Sequence, residues 1–183
     1  MSKIKNLIII SALFCLITPV SALAYSYSGY KWFQTPGTIR TVDIDPIGRN
    51  TAEELAIRNS MSSWSNAGAK FYYVDTTTSG NDFGYYYEVS NDLAVNRIEI
   101  NWLGYITRTY VKVNTYHPWA TNGDANSYDF ESMAAHELGH GLRLLHSSDT
   151  AATMYYSMSR GETKKRTLET DDKNGIKYIY GSL

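Results

Sequence analysis

His136-Glu137-Leu138-Gly139-His140-Gly141-Leu142-Arg143-Leu144-Leu145-His146 is the stretch of sequence that carries the strongest signal in the chain. His136 and His140 are four residues apart, so a helix places both side chains on one face, one turn apart. This spacing is typical of two imidazoles that bind one zinc ion, with Glu137 beside them as a base. His146 reaches the metal only if the helix ends soon after His140 and the chain turns back. Three nitrogen ligands leave one zinc position for water, which is the pattern of catalytic zinc sites.

These residues resemble the zinc-binding segment of the metzincin clan of zinc peptidases, in which a third histidine follows H-E-x-x-H at this offset. Residues 146–155 resemble the Met-turn of the clan, especially that of the matrixin (matrix metalloproteinase-like) family, with Met154 as its methionine. Residues 168–181 resemble the C-terminal helix of matrixins. The likeness is specific from Asp129 onward and looser upstream, where it still covers nearly all of the mature chain. The sequence is therefore similar to a secreted matrixin of bacterial type.

The resemblance implies an α+β fold of the metzincin or zincin-like type. Its parts would be a mixed twisted β-sheet, a helix that carries the site, a Met-turn and a C-terminal helix. Residues 25–183 would form a single catalytic domain, with an upper subdomain of about residues 25–145 and a lower subdomain of about residues 146–183. A protein or peptide substrate would lie extended in the cleft between them and pair with an edge strand.

The expected activity is that of a secreted zinc-dependent endopeptidase. Zinc held by His136, His140 and His146 would acidify a water molecule and polarise the substrate carbonyl. Glu137 follows a ligand on the same helix, so we expect it to accept the proton of the attacking water and pass it to the leaving amine. Met154 would lie beneath the three imidazoles as an apolar base.

Arg143 departs from the metzincin pattern, which has glycine here because a left-handed residue turns the third ligand inward. A non-glycine residue in that conformation costs roughly 1–2 kcal/mol, and zinc binding, at ~10 kcal/mol or more, offsets such a cost. Alternatively, Gly141 ends the helix half a turn early. Arg143 also motivates a second hypothesis, a degenerate metzincin that binds zinc or a protein partner without turnover. A third hypothesis is a narrow effector protease with a single target protein.

Tyr156 lies two residues after Met154, where the astacin and serralysin families have a tyrosine that reaches the zinc and matrixins usually have proline. A phenol at this position would act as a fifth zinc ligand at rest and then donate a hydrogen bond to the oxyanion. The alternative, which we favour, is that Tyr156 lines the substrate pocket, as residues after a Met-turn commonly do.

Residues 1–24 have the pattern of a secretory signal peptide. Lys3 and Lys5 form a basic start, residues 7–17 form an almost uninterrupted apolar run, and Ala22-Leu23-Ala24 is a small-x-small cleavage site. The alternative is an uncleaved membrane anchor, for which the segment is short and wrongly flanked. We therefore expect a secreted, extracellular protein.

The only cysteine is Cys15, inside that segment, so the mature chain has no disulfide and relies on its core, on bound ions, or on both. Removing residues 1–24 takes the formal charge from −1 to −3, because it removes Lys3 and Lys5. Neither nucleic acid nor an anionic membrane surface is expected as a partner, and we expect a monomer. Matrixin zymogens usually carry a propeptide cysteine that blocks the zinc. With no cysteine left, we expect activity on export or control by another protein.

Alternation of apolar and polar residues predicts strands at 38–44, 71–74, 97–102 and 109–114, a short strand or packed loop at 85–89, and an edge strand at 104–107. Helical spacing and capping residues predict three helices, from Thr51 with a Thr51–Glu54 capping box to about residue 66, from Ser127 or Asp129 through the site, and from Thr170 onward. The basic run Lys164-Lys165-Arg166 is interpreted as a solvated face.

Asn122, Asp124 and Asn126 alternate as calcium ligands do, but the rest of an EF-hand loop, including its terminal glutamate, is missing. A plain polar loop is the alternative. His117 is the fourth histidine. Matrixins often carry a second, structural zinc, yet no cluster of His and Asp surrounds His117 in the sequence, so we expect a surface or hydrogen-bonded histidine.

Overall fold

The computed structural model describes residues 24–183 of the chain. The signal-peptide prediction and Cys15 lie outside the described residues, apart from Ala24. Within the described part, no helix combines the length and the apolar character needed to cross a membrane. The predicted α+β class is confirmed, because the described residues form a mixed sheet with packed helices.

The strands of the described part are β1 (Lys31–Trp32), β2 (Arg40–Ile44), β3 (Phe71–Asp75), β4 (Phe83–Tyr86), β5 (Ala94–Ile100), β6 (Tyr105–Asn114), β7 (Trp119–Ala120) and β8 (Tyr128–Asp129). The helices are α1 (Thr51–Ser65), α2 (Phe130–Gly141), α3 (Thr170–Tyr180) and a short 3-10 helix (Lys164–Arg166). All three predicted α-helices and the strands predicted at 38–44, 71–74, 97–102 and 109–114 are present.

The long strand β6 organises the sheet. It pairs antiparallel with β5 on one side and parallel with β1 and β4 on the other. β2 and β3 pair parallel, and a bridge between Asp45 and Asp82 connects β2 to the start of β4. Among the described strands, β5 pairs only with β6. β5 is therefore an edge strand, with its outer backbone groups free for another chain.

The prediction of an edge strand at residues 104–107 is wrong. Gly104 has a φ of +83° and closes the turn between β5 and β6, and Tyr105 already belongs to β6. The polar pair Thr107-Arg108 interrupts the apolar alternation, which made one long strand look like two short ones. The strand predicted at 85–89 lies instead at Phe83–Tyr86.

The helix caps follow the predicted chemistry with small shifts in position. Asp129 caps α2, as predicted, by accepting a hydrogen bond from the Ser132 amide at 2.9 Å. The predicted Thr51–Glu54 capping box is wrong, because Asn50 is the cap and its side-chain oxygen accepts from two amides of the first turn. The side-chain amide oxygen of asparagine caps a helix at least as well as a threonine hydroxyl does. Thr170 is the first helical residue of α3, and Glu169 is its cap.

Helices α1 and α2 pack on each other and on one face of the sheet. The fully buried Trp64 of α1 donates its indole N–H to the Ala135 carbonyl of α2 at 2.8 Å. From β3, Tyr73 donates its hydroxyl to the Leu138 carbonyl at 2.7 Å. Buried aromatic rings with a satisfied polar atom combine apolar burial with a directional contact. These contacts fix the position of α2, which carries the candidate site.

Candidate metal centre

His136 and His140 lie on consecutive turns of α2, and their ring centroids are 4.7 Å apart. The predicted spacing on one helix face is therefore present. The helix ends at Gly141, directly after the second histidine. This early end leaves room for the chain to turn back, which the third histidine requires.

Arg143 makes the turn, with a φ of +72°. It is the only non-glycine residue at positive φ among residues 24–183. Its amide donates to the His140 carbonyl at 2.8 Å, and the Leu144 amide donates to the Gly139 carbonyl at 3.2 Å. The left-handed conformation predicted at this position is confirmed, and the early end at Gly141 occurs together with it.

Contacts with the N-terminal segment hold the Arg143 turn in place. The guanidinium of Arg143 donates to the Ser28 hydroxyl at 2.7 Å and lies 5.5 Å from the centre of the Tyr30 ring. Tyr27 and Leu144 form an antiparallel bridge. Next to this bridge, the Leu145 amide donates to the Ser26 carbonyl at 2.8 Å. These contacts offset the backbone strain of a non-glycine residue in this conformation.

The returning chain brings His146 against the other two histidines. Its ring centroid lies 5.3 Å from that of His136 and 5.0 Å from that of His140. One nitrogen from each ring lies within 4.8 Å of the other two. Within residues 24–183, these three side chains form the one group of His, Cys, Asp or Glu residues with such spacing.

The hydrogen bonds of His136 and His140 leave one ring nitrogen of each free to bind a metal. His136 Nδ1 lies 2.8 Å from the Thr153 carbonyl, and His140 Nδ1 lies 2.8 Å from the Leu144 carbonyl. Because a carbonyl only accepts, each Nδ1 carries the proton and each Nε2 keeps its lone pair. Burial lowers the pKa of His140 to about 4 and that of His136 well below its ordinary value. Neutral imidazoles are the form that binds metal, so the three histidines fit a catalytic zinc.

Glu137 follows His136 in α2, is 7% exposed, and lines the same cavity as the three histidines. Its Oε2 atom is buried and has no hydrogen-bond partner among the described residues. Burial raises the pKa of this carboxyl to about 7, and the nearby Lys165 cation opposes that shift. A carboxyl group with a free oxygen and such a pKa can both accept and release a proton near neutral pH.

Met154 is 1% exposed and packs against α2 at Gly139, and its position beneath the three imidazoles stays a prediction. Its sulfur would lie 2.2 Å from a Cβ placed on Gly139, so α2 and Met154 approach closely only because residue 139 is glycine. Asp172 fixes this turn by accepting from the Thr153 amide at 2.8 Å and the Met154 amide at 3.0 Å. The sequence did not predict this role of Asp172. Its partners precede it by 18 and 19 residues, which local patterns do not report.

The prediction of a solvated face at Lys164-Lys165-Arg166 is wrong for two of its three residues. Lys164 is exposed, but Arg166 pairs with the buried carboxylate of Asp129. Lys165 is only 1% exposed, donates to the Tyr155 carbonyl and lies 3.5 Å from His136 Nδ1. Burial lowers the pKa of Lys165 to about 8. In a short 3-10 helix, adjacent residues point in different directions, so a shared charge does not imply a shared environment.

A cavity of about 500 Å³ lies in front of the three histidines. Ala94–Asn96 of β5 and Tyr156–Met158 both line it. Tyr156 is 66% exposed, and its ring centroid lies 6.3 Å from that of His146. Asn96 donates to the Glu137 carbonyl at 2.8 Å and so ties the edge strand to α2. The sequence did not single out Asn96.

Neither His117 nor the predicted calcium loop lines this cavity. His117 is half-buried, and its Nε2 lies 3.2 Å from the Asp92 carbonyl, so the prediction of a hydrogen-bonded histidine is confirmed. The Asn122 side chain accepts from the Asp124 amide, and the Asp124 carboxylate accepts from the Ser127 hydroxyl at 2.6 Å. These are the contacts of a polar loop, and calcium at Asn122, Asp124 and Asn126 stays a prediction.

Comparison with known proteins gives one family over most of the chain. The family model described as Matrixin matches residues 31–181. Metalloendoproteinase 1 of Glycine max is 44% identical over 69 residues, which are 34% of this chain and 22% of that protein. Neutrophil collagenase of Homo sapiens is 49% identical over 61 residues, 33% of this chain and 13% of the collagenase. The chain thus spans about a fifth or less of the length of these relatives.

Proposed function

Because the chain belongs to the matrixin family, we propose that it is a secreted zinc-dependent endopeptidase. The observation that carries this proposal is the placement of three histidine nitrogens within 4.8 Å of one another, beside a buried carboxyl with a free oxygen. The relatives include proteins named metalloendoproteinase and collagenase. The degenerate hypothesis rested on Arg143, and the contacts of Arg143 with Ser28 and Tyr30 accommodate its conformation.

In the proposed mechanism, His136, His140 and His146 hold the zinc. The chemistry that a bound zinc supplies is Lewis acidity toward the scissile carbonyl and the attacking water. Glu137 takes the proton of that water on Oε2 and passes it to the leaving amine. A carboxyl with a pKa near neutrality suits both transfers, because neither proton transfer is strongly uphill.

An extended peptide would lie along β5. This strand has a free edge and borders the cavity through Ala94–Asn96. Backbone pairing to an edge strand supplies affinity without selecting side chains. The other lining segment, Tyr156–Met158, would then contact the side chains of the substrate. This arrangement supports the division into an upper subdomain to about residue 145 and a lower one from about residue 146.

Export of the protein rests on the sequence of residues 1–24, with its basic start, apolar run and small-x-small site. Cleavage after Ala24 would produce the single domain 25–183. The mature protein would act on protein or peptide substrates outside the cell.

The proposed activity is tested with purified mature protein. It should bind about one zinc per chain and cleave casein or gelatin, a chelator should stop cleavage, and added zinc should restore it. Zinc binding without cleavage of a broad peptide library would overturn the proposal and favour the degenerate protein. Cleavage of one host protein alone would favour the narrow effector protease.

We propose that Tyr156 lines the substrate pocket, in view of its 66% exposure and its place on the cavity wall. The alternative is a donor to the oxyanion, supported by the proximity of its ring to that of His146. Tyr156→Phe separates the two. A pocket wall predicts a change in KM or in side-chain preference, whereas loss of an oxyanion donor lowers kcat by ~10²-fold with KM little changed.

A further inference from the structure

Lys165 is a buried cation that forms no ion pair with the described residues. No carboxylate among residues 24–183 lies within 4.0 Å of its ammonium group. Of its three N–H groups, one donates to the Tyr155 carbonyl. His136 Nδ1 is 3.5 Å away but already donates to the Thr153 carbonyl, so it cannot accept. The ammonium therefore keeps two unused donors. Proteins rarely bury a charged group with unused donors unless a partner or ligand accepts those hydrogen bonds.

The acidic residues nearest to Lys165 are engaged elsewhere. Asp172 accepts three backbone amides, those of Thr153, Met154 and Glu169. Glu162 pairs with Lys164 at 3.3 Å. Glu137 is the third acid whose charge acts on Lys165, and the mechanism gives it the proton of the water. Within the described residues, none of these side chains completes the contacts of Lys165.

Lys165 lines the same cavity as the three histidines. Two flexible apolar side chains, Met133 and Met158, and the ring of Tyr128 line it as well. A substrate side chain that enters this space next to the scissile bond would contact these apolar groups as well as Lys165. Because Lys165 is only 1% exposed, a side chain must be long to reach its ammonium group.

We propose that Lys165 determines specificity by selecting substrates that place a glutamate side chain in this cavity. The methylene groups of glutamate would contact the methionines, and its carboxylate would accept the free N–H groups of Lys165. Aspartate is too short to reach the ammonium as well, and glutamine lacks the charge. This inference rests on the proposed endopeptidase function.

A purely structural role for Lys165 is the competing explanation. In that case the lysine serves only to hold the Tyr155 carbonyl, and an apolar side chain is the preferred substrate group. The two explanations differ in substrate selection, which a structural role would not change in a charge-dependent way. The matched control is Lys164, an adjacent lysine whose side chain is exposed.

The test uses peptides that differ only by Glu or Gln at each position flanking the cleaved bond. At one position, the wild-type protein should cleave the Glu peptide about 10–100-fold better in kcat/KM, the range expected for a hydrogen bond to a charged group. Lys165→Met should abolish that ratio and favour Leu or Met, while Lys164→Met should preserve it. Lys165→Arg, which keeps the charge, should retain an acidic preference.

Equal cleavage of the Glu and Gln peptides at every position by the wild-type protein would overturn the inference. An unchanged ratio in a folded Lys165→Met protein would also do so. Binding of the same peptides to Glu137→Ala, followed by fluorescence anisotropy, gives a readout without turnover. If no peptide is cleaved at all, the endopeptidase proposal fails, and the binding ratio still decides the role of Lys165.

Discussion

His136 and His140 owe their positions to the regular geometry of α2, whereas His146 owes its position to parts of the chain that are distant in sequence. The first two histidines need only a helix that continues to Gly141. The third needs Arg143 at a φ of +72° and backbone contacts with the segment around Tyr27. One centre thus combines ligands placed by local and by long-range interactions.

This difference predicts where the site is sensitive. Changes within α2 should act on the fold and on the metal together, because the helix is part of the core. Changes around His146 should act mainly on the metal, because that ring is exposed. The predictions below separate the two regions, from the largest expected effect to the smallest.

Replacing a ligand should have the largest effect. His140→Ala and His146→Ala should each lower zinc affinity by roughly a hundredfold or more, since loss of a residue that only supports a ligand already costs 10–100-fold. His140→Ala should also lower the melting temperature of the metal-free protein, because it removes the hydrogen bond to the Leu144 carbonyl. His146→Ala should leave that temperature nearly unchanged. Calorimetric zinc titration and melting curves in chelator measure both quantities, and equal metal-free melting of the two variants would contradict the comparison.

Gly139→Ala should destabilise the helical region of the site. A Cβ there would lie 2.2 Å from the Met154 sulfur and 2.7 Å from Trp64, and overpacking of this kind costs about 1–3 kcal/mol. Gly84→Ala is the matched control, because a Cβ at Gly84 meets nothing within 4 Å. Urea unfolding of both variants measures the difference. Equal stability of the two would show that the close approach of Met154 and α2 is not required.

The buried histidines should make metal-free stability depend on pH. The pKa of His140 is lowered to about 4 in the folded protein, so the unfolded chain binds more protons below its ordinary value of about 6.5. The stability that the neutral His140 imidazole contributes is present above about pH 6.5 and is lost as the pH falls toward 4. Glu137 acts in the opposite direction, because its raised pKa makes the folded state hold a proton that the unfolded state releases.

The measurement therefore uses Glu137→Gln, which removes the opposing titration. Urea unfolding of its metal-free form should give a free energy that falls from pH 6.5 to pH 4.5. Adding His140→Ala should reduce this slope, and the remaining slope belongs to His136, whose pKa burial also lowers. An identical slope in the presence and absence of His140 would mean that the imidazole is not buried in its neutral form.

Substitution of Arg143 should have the smallest effect on stability. Comparing two variants at this position isolates the contribution of the backbone conformation. Arg143→Ala and Arg143→Gly both lose the contacts with Ser28 and Tyr30, but only alanine retains the strain of positive φ. The glycine variant should therefore be more stable than the alanine variant by about 1 kcal/mol, with tighter zinc binding. Melting curves and zinc titration of the pair provide the test. Equal stability and equal zinc affinity of the two variants would contradict a strained backbone at Arg143.

The sequence predicted the parts of the site that depend on local spacing. His136, His140 and Glu137 follow from a helical repeat, and His146 and Met154 follow from the resemblance to a family motif. Contacts between distant residues could not be predicted, which is why the role of Asp172 in fixing the Met-turn was missed.

The basic run at 164–166 shows the limit most clearly. Its three residues have the same charge and adjacent positions, yet they differ completely in environment. Lys164 is exposed, Lys165 is buried at the cavity, and Arg166 pairs with Asp129. A charge run records composition, whereas burial is set by the strands and helices that pack around it.

The most direct test of the proposed centre is Glu137→Ala, with zinc content and peptide cleavage measured on the same preparation. All three histidines remain in this variant, so it should hold about one zinc per chain and melt close to the wild-type temperature. Without the residue that moves the proton, kcat should fall by ~10²–10⁴-fold. Retention of most of the activity would contradict the assignment of Glu137, and loss of the zinc would contradict the separation of metal binding from proton transfer.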